Sequence, residues 1–478
     1  MITLIKGNLG PGILNLPHAF ALAGYGLGSV LFFVVSLQGL YSMWLLVSCQ
    51  QRLQQQQNQQ HNNTSLTFMG VARRVLGPYG GRAVEVFLLV SQGGVCCVFL
   101  SLLSTHLQAT FLIRATLSVS LVTVVLLGLV LLRWIADLVW LSTVANVCML
   151  LALGTATGMG VLVRYGTIAP STTATHLVAA RMTPAVMTTF TTDMFYALEG
   201  IGLVLPVANA YATTASGTTM MNGGDRTTMT TTTPTKPPFG RVLLQSMTLV
   251  AGAFLVTGLG AAVGFPDNHS GSITEYLQAT YPNVLWFRIV NSLVMLAVGM
   301  TFPLQLTPAA EVVETWVSQW NEHKRGVAVP QNDEDANDGV MIDVPISHAT
   351  STEDATATTE PPPLNTSESS DAVPQLDDTI PLSPNDSKAW IVQRWSMVLF
   401  FAAIVLAVDD LGVLMSLFGA VGQTTLAAMP CVVHLAMQYQ GLAPRCWWQT
   451  VIHLAIVTFC GFVLLAGVVQ CIREELRV

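Results

Sequence analysis

The chain has 478 residues, of which 52% are hydrophobic and only 10% charged, against roughly 25% charged in a typical soluble domain. The formal net charge is −7, yet residues 320–390 alone carry 14 acidic and three basic residues, a net of −11, so the remainder is about +4. An acidic hydrophilic segment is therefore set into an apolar, slightly basic membrane body. The balance carries no information on a substrate, and no basic run with interleaved aromatics points to nucleic acid.

A membrane span needs about 20 apolar residues. Eleven candidates follow in chain order: 1–24, 27–49, 84–107, 115–132, 138–163, 185–210, 240–264, 283–310, 393–409, 411–436 and 448–471. The first lacks the basic start and small-residue cleavage site of a signal peptide. Because the chain begins almost inside this span, an upstream segment is expected. Lys and Arg concentrate on the loops that share a side with the N-terminus, Arg52, Arg73, Arg74 and Arg82 among them. That bias predicts a cytosolic N-terminus and a C-terminus on the far side. The domain reading is a membrane part over 1–315, a disordered acidic cytosolic loop over 316–391, and a second membrane part over 392–478. Residues 50–65, rich in Gln and Asn, and 212–237, rich in Thr, are also read as disordered cytosolic loops. The far-side loop 265–282 carries Asn268-His269-Ser270, a glycosylation sequon. The eight cysteines lie in or beside apolar spans without metal-ligand spacing and are read as small buried residues.

The first span contains its own breaker, Gly7-Asn8-Leu9-Gly10-Pro11-Gly12. Three glycines and a proline cannot sustain a regular helix. Unwound backbone survives in lipid only where it is buried in protein or lines a cavity. The sixth span repeats the anomaly in Ala197-Leu198-Glu199-Gly200-Ile201-Gly202, followed by Leu203-Val204-Leu205-Pro206. Spans one and six are five apart, so the second unit enters the bilayer the opposite way. The fold expected is an all-α polytopic membrane protein of about 11 transmembrane helices, a LeuT-like 5+5 inverted repeat with discontinuous helices 1 and 6. Packing alone explains many Gly-rich patterns in membranes, but two clusters at equivalent positions, one with an acid, favour a site.

The run from Leu4 to Pro17 resembles the first-span signature of the amino acid/auxin permease family, nearest its proton-coupled and vacuolar amino acid transporter branch. Tyr196 to Pro206 resembles that family's sixth span. Phe302-Pro303-Leu304-Gln305 with Pro308 and Glu311, and Ser416 to Gly422, resemble its eighth and tenth. The 316–391 insert and the Thr-rich loop depart from the pattern, and the chain lacks the N-terminal tail common in the family. The resemblance implies transport of small neutral amino acids across a membrane, the vacuolar or lysosomal one ahead of the plasma membrane.

Chemistry at the breaks follows from the zwitterion. A carboxylate suits exposed N–H groups at the positive start of a half-helix, and an ammonium suits exposed carbonyls at a half-helix end. Gly7, Asn8, Gly10, Gly12, Gly200 and Gly202 are assigned to substrate contact, with Tyr196 beside them. Asn8 supplies an amide to the ligand or caps the helix break. Glu199 is a carboxylate at bilayer depth, which is costly and usually functional. It is read as the proton carrier, with direct binding of the substrate ammonium or bracing of the break as alternatives. Asp193 is ranked below it as interfacial and Glu85 as solvated; His18 is a candidate for titration near neutrality, with a hydrogen-bonded packing residue the commoner reading of a lone span histidine. No Gly-x-x-x-x-Gly-Lys-Ser/Thr run and no catalytic triad occur, so an enzyme is not expected. No resident cofactor or metal is expected either; the proton is the coupling ion, with sodium as the alternative. Besides amino acids, protons and lipid, the 316–391 loop is a candidate for binding cytosolic partners, as in a nutrient sensor.

Overall fold

The computed structural model describes residues 4–5, 8, 10–58, 66–131, 135–166, 183–198, 200–216, 238–268, 270–324, 384–408 and 410–475. The described residues form helices and connecting turns, with no strand among them. By contacts the chain divides into two units, Met1–Val313 with Val392–Val478, and Glu314–Ile391. Most of the second lies outside the described residues, as does most of the Thr-rich loop.

Nine helices are long and apolar enough to cross a membrane among the described residues, and the protein is a multi-pass membrane protein. Eleven spans are expected from the sequence; two of the candidates fall short of the length needed. The fourth is a helix of 15 residues, Ala115–Leu129, about 22 Å long at 1.5 Å per residue. The first is interrupted. After Gly10, held extended at φ −86° and ψ 177°, a short 3₁₀ turn runs over Pro11–Leu14. Helix α1 (Leu16–Ala23) follows. Pro11 has no N–H to donate, so it starts the turn at no hydrogen-bonding cost. Gly24 then adopts φ 75°, and the chain reverses into α2 (Tyr25–Asn58).

Two further helices precede the second break. Helix α3 (Phe68–Phe111) is capped by the Thr67 side chain, which accepts from Gly70 N at 3.1 Å. It kinks at Gly77 (φ 74°), next to Pro78, so a short near-side helix lies before the span. Helices α4 (Ala115–Leu129) and α5 (Ile135–Arg164) follow. The sixth span is α6 (Pro184–Ala197), started by Thr183 and Pro184. It ends at Leu198 (φ −96°, ψ 45°). A 3₁₀ turn over Gly200–Leu203 then leads into α7 (Val204–Ser216). Both anomalous spans are therefore broken where the glycines stand.

The remaining elements are α8 (Phe239–Gly264), the short far-side α9 (Ile273–Thr280), α10 (Leu285–Lys324), α11 (Pro384–Ala407), α12 (Leu411–Phe418), α13 (Thr424–Tyr439) and α14 (Trp447–Glu475). Between α12 and α13 the tenth span widens into a π turn at Gly419–Gln423. Small residues allow close helix approach. A Cβ on Gly160 of α5 would lie 2.7 Å from Ala261 Cα of α8, and Gly258 accommodates the Phe20 ring of α1.

Several sequence-based expectations change. Residues 50–58 are not a loop: α2 continues to Asn58, and Gln50 and Leu53 are buried. Gln50 Nε2 donates to Leu66 O at 2.6 Å and to Asn209 Oδ1 at 2.7 Å, which gives the Gln-rich turn a packing face. Glu85 is buried and paired with Arg73 at 2.8 Å rather than solvated. Asn268 is 1% exposed, with its Oδ1 accepting from Ser270 N, so this sequon is closed to a glycan in the folded protein.

Candidate functional site

The two breaks meet. A side chain at position 200 would collide with the Asn8 amide, so Gly200 is the floor on which Asn8 rests. Asn8 is 1% exposed. Its Nδ2 donates to Leu4 O at 2.8 Å, closing the end of the first half-helix. Its Oδ1 is buried and has no hydrogen-bond partner among the described residues. A buried acceptor left unpaired costs about 1–3 kcal/mol, and such a group at a helix break is suited to a ligand that donates. The cap role and the ligand role thus fall on different atoms of one side chain.

The other assigned residues divide by their surroundings. Gly10 is half-buried at the start of the 3₁₀ turn. Gly12 faces protein: a Cβ there would stand 2.8 Å from Ala197 Cα and 3.1 Å from Tyr196 Cδ1. Tyr196 is 1% exposed, and it packs on both Gly12 and Gly419 of the π turn. Gly202 is half-buried with room beside it, a Cβ meeting only Leu88 at 3.4 Å and Gln92 at 3.8 Å. Gly7 and Glu199 lie outside the described residues.

The tenth span closes a third side. The Thr192 carbonyl backs onto Gly419, and Gly422 packs on the Ser91 backbone, with Cα 2.7 Å from where a Cβ would stand. Thr424 Oγ1 donates to Gly419 O at 2.8 Å, beside the bond that the Thr424 backbone N–H makes to the same carbonyl across the widened turn. Gln423 Nε2 donates to Ser91 Oγ at 2.7 Å. Three irregular segments, from spans one, six and ten, therefore converge.

A family described as transmembrane amino acid transporter protein matches residues 1–233 and 226–473. The chain belongs to this transmembrane amino acid transporter family. Among curated relatives, Amino acid transporter AVT3A of Arabidopsis thaliana is 26% identical over 327 residues, covering 64% of this chain and 65% of the relative. Amino acid transporter AVT3C of Arabidopsis thaliana is 24% identical over 339 residues, covering 64% and 67%. Amino acid transporter ANT1 of Arabidopsis thaliana is 27% identical over 153 residues, covering 31% of this chain and 35% of the relative. The chain thus spans about a third of ANT1 and just under two thirds of AVT3A.

Within this member of the amino acid transporter family, sequence reasoning underrates one group. Asp193 is 3% exposed, shielded by protein. Asn15 Nδ2 donates to its Oδ2 at 3.0 Å, and Ser416 Oγ donates to its Oδ1. Asn15 stands at the N-cap of α1, where an Asn normally caps its own helix, yet it makes no cap bond and is turned to Asp193 instead. The signal in the sequence is a polar residue inside Gly12-Ile13-Leu14-Asn15-Leu16-Pro17. Asp193 and Ser416 also line a far-side cavity of about 270 Å³, with His18, Thr189, Asp410 and Gln470 among the other lining residues. His18 Nδ1 lies 2.6 Å from Asn268 O. A carbonyl only accepts, so Nδ1 carries the proton in this contact.

Proposed function

We propose that this chain is a secondary transporter of small neutral L-amino acids, driven by protons, working by alternating access between two inverted five-helix repeats in the LeuT-like manner. The observation that carries the reading is the meeting of two broken helices at Asn8 and Gly200, with the Asn8 Oδ1 acceptor buried and unpaired among the described residues. Family membership and the names of the relatives support the substrate class. The substrate ammonium donates to Asn8 Oδ1 and to carbonyls where α6 ends. The carboxylate takes the Gly12 N–H at the start of the 3₁₀ turn, since Pro11 has none and Ile13 N donates to Gly10 O. Gly7, Gly10, Gly12, Gly200 and Gly202 keep side chains off this backbone, and Tyr196 supports it from behind. Glu199, adjacent to Gly200 in the chain, carries the coupling proton. A vacuolar or lysosomal membrane, with the N-terminus cytosolic, completes the reading.

The test is uptake into proteoliposomes. A screen of radiolabelled amino acids under an imposed pH gradient is expected to find accumulation of small neutral ones, unchanged when choline replaces sodium. The Glu199→Gln variant is expected to lose gradient-driven accumulation while retaining exchange. Accumulation that requires sodium would reject proton coupling, and full pH-driven accumulation by Glu199→Gln would reject the carrier role.

A further inference from the structure

We propose that Asp193 is the gate carboxylate of the far-side cavity, holding spans one, six and ten closed over the site when ionised and releasing them when protonated. The inference rests on the transport reading above and assigns it a residue outside the helix breaks. The geometry is a three-way junction. Asn15 belongs to the start of α1, Asp193 to α6 and Ser416 to α12, and both carboxylate oxygens are engaged as acceptors. These three helices, with α14, wall the cavity, and Asp193 and Ser416 stand in its lining. Asp193 is four residues from Ala197, hence about 6 Å along the helix from the break. Asn15 is likewise three residues from Gly12, which packs on Ala197. Opening a path from the cavity to Asn8 and Gly200 by moving α1 or α12 away from α6 parts these hydrogen bonds.

Protonation changes what the junction can hold. An ionised carboxylate accepts only, and a hydrogen bond to it is roughly twice as strong as one between neutral groups. A proton arriving from cavity water on Oδ2 turns that oxygen into a donor, which then faces the Asn15 Nδ2 donor. The Asn15 amide must turn away before its Oδ1, buried and without a partner among the described residues, can accept from the new O–H, so a charge-assisted bond gives way to a weaker neutral one and the closed junction is loosened. Ser416 retains its bond to Oδ1, now a weaker one. The proton adds to the carboxylate and no other bond forms or breaks. Among the described residues, the titratable and charged groups facing Asp193 across the cavity are His18 from α1 and Asp410 from the start of α12, and α14 contributes Gln470, which is uncharged. Glu275 of α9 approaches through Ser270, its Oε2 accepting from the Ser270 hydroxyl next to Gly271 in the cavity wall.

The experiment is amino acid exchange in proteoliposomes at equal pH on both sides, which removes the driving force and leaves gating. Wild-type exchange is expected to quicken as pH falls, by up to ~10-fold per pH unit through the titration. Asp193→Asn, nearly isosteric and permanently neutral, is expected to exchange at a rate independent of pH when combined with Glu199→Gln, which removes the other titrating carboxylate while retaining exchange. Ser416→Ala keeps the titrating group but removes one bond to its ionised form, so the midpoint of its profile is expected to move to higher pH. A flat wild-type profile overturns the proposal, as does a pH response lost in His18→Gln but kept in Asp193→Asn. An unshifted midpoint in Ser416→Ala also overturns it, which keeps the test decisive if Asp193→Asn does not fold. Failure of the wild type to exchange any amino acid would overturn the transport reading instead.

Discussion

Gly12 and Gly202 look alike in sequence but face opposite surroundings. A methyl group at position 12 would press on Ala197 Cα at 2.8 Å, and backbone cannot step aside as a flexible side chain can. Gly12→Ala is therefore expected to destabilise the fold by about 1–3 kcal/mol, as overpacking does. Thermal unfolding of purified protein in detergent checks this, and an unchanged melting temperature would mean that spans one and six do not close at this point. The glycines of the breaks are legible in the sequence because so dense a cluster, with a proline in it, cannot continue a regular helix through an apolar run. Asp193 is not, because its partners are 178 and 223 residues away in the chain. Position along a span says how far a carboxylate is from the span's end; only tertiary structure says what surrounds it. Asn8 is half legible: its presence at the break is plain, but not that one atom closes the helix and the other is left to accept.

At the scale of elements, apolar runs locate the spans, while the irregular pieces between and within them stay hidden. The Gln-rich end of α2 reads as a loop because it lacks apolar residues at helical spacing. Gln is nevertheless a good helix former, and Gln50 finds polar partners in Leu66 O and Asn209. The π turn of the tenth span leaves only two glycines as its trace. The far-side helix α9 reads as part of a loop, and it brings a testable carboxylate. Glu275 lies outside the spans, and burial raises its pKa above 4.5, with Asp410 adding to the rise and the Ser270 hydrogen bond opposing it. A raised carboxyl pKa contributes stability that is present below the unfolded value and is lost as pH rises through the folded one. Melting temperature is therefore expected to fall from acid toward neutral pH, and Glu275→Gln to flatten that slope and raise stability at pH 7. A steeper slope in the variant would contradict the assignment.

For the whole molecule, composition alone marks a membrane body, and family membership agrees with the amino acid chemistry read from the breaks. What composition cannot supply is the convergence of three irregular segments, because each is ordinary until the other two are set beside it. Asn8 stands on Gly200, Tyr196 packs between Gly12 and Gly419, and Asp193 joins Asn15 to Ser416 in the lining of the far-side cavity. The central claim is that a zwitterion sits on backbone at these breaks. Gly202 offers the most direct test, since a Cβ there meets only Leu88 at 3.4 Å and Gln92 at 3.8 Å, and the fold has room for it. The measurement is equilibrium binding of a transported radiolabelled amino acid to purified wild type and Gly202→Ala, beside their melting temperatures. The account predicts about tenfold or more weaker binding, the scale of one mis-sized apolar contact in a pocket, at an unchanged melting temperature. Equal affinity in the two proteins would contradict it.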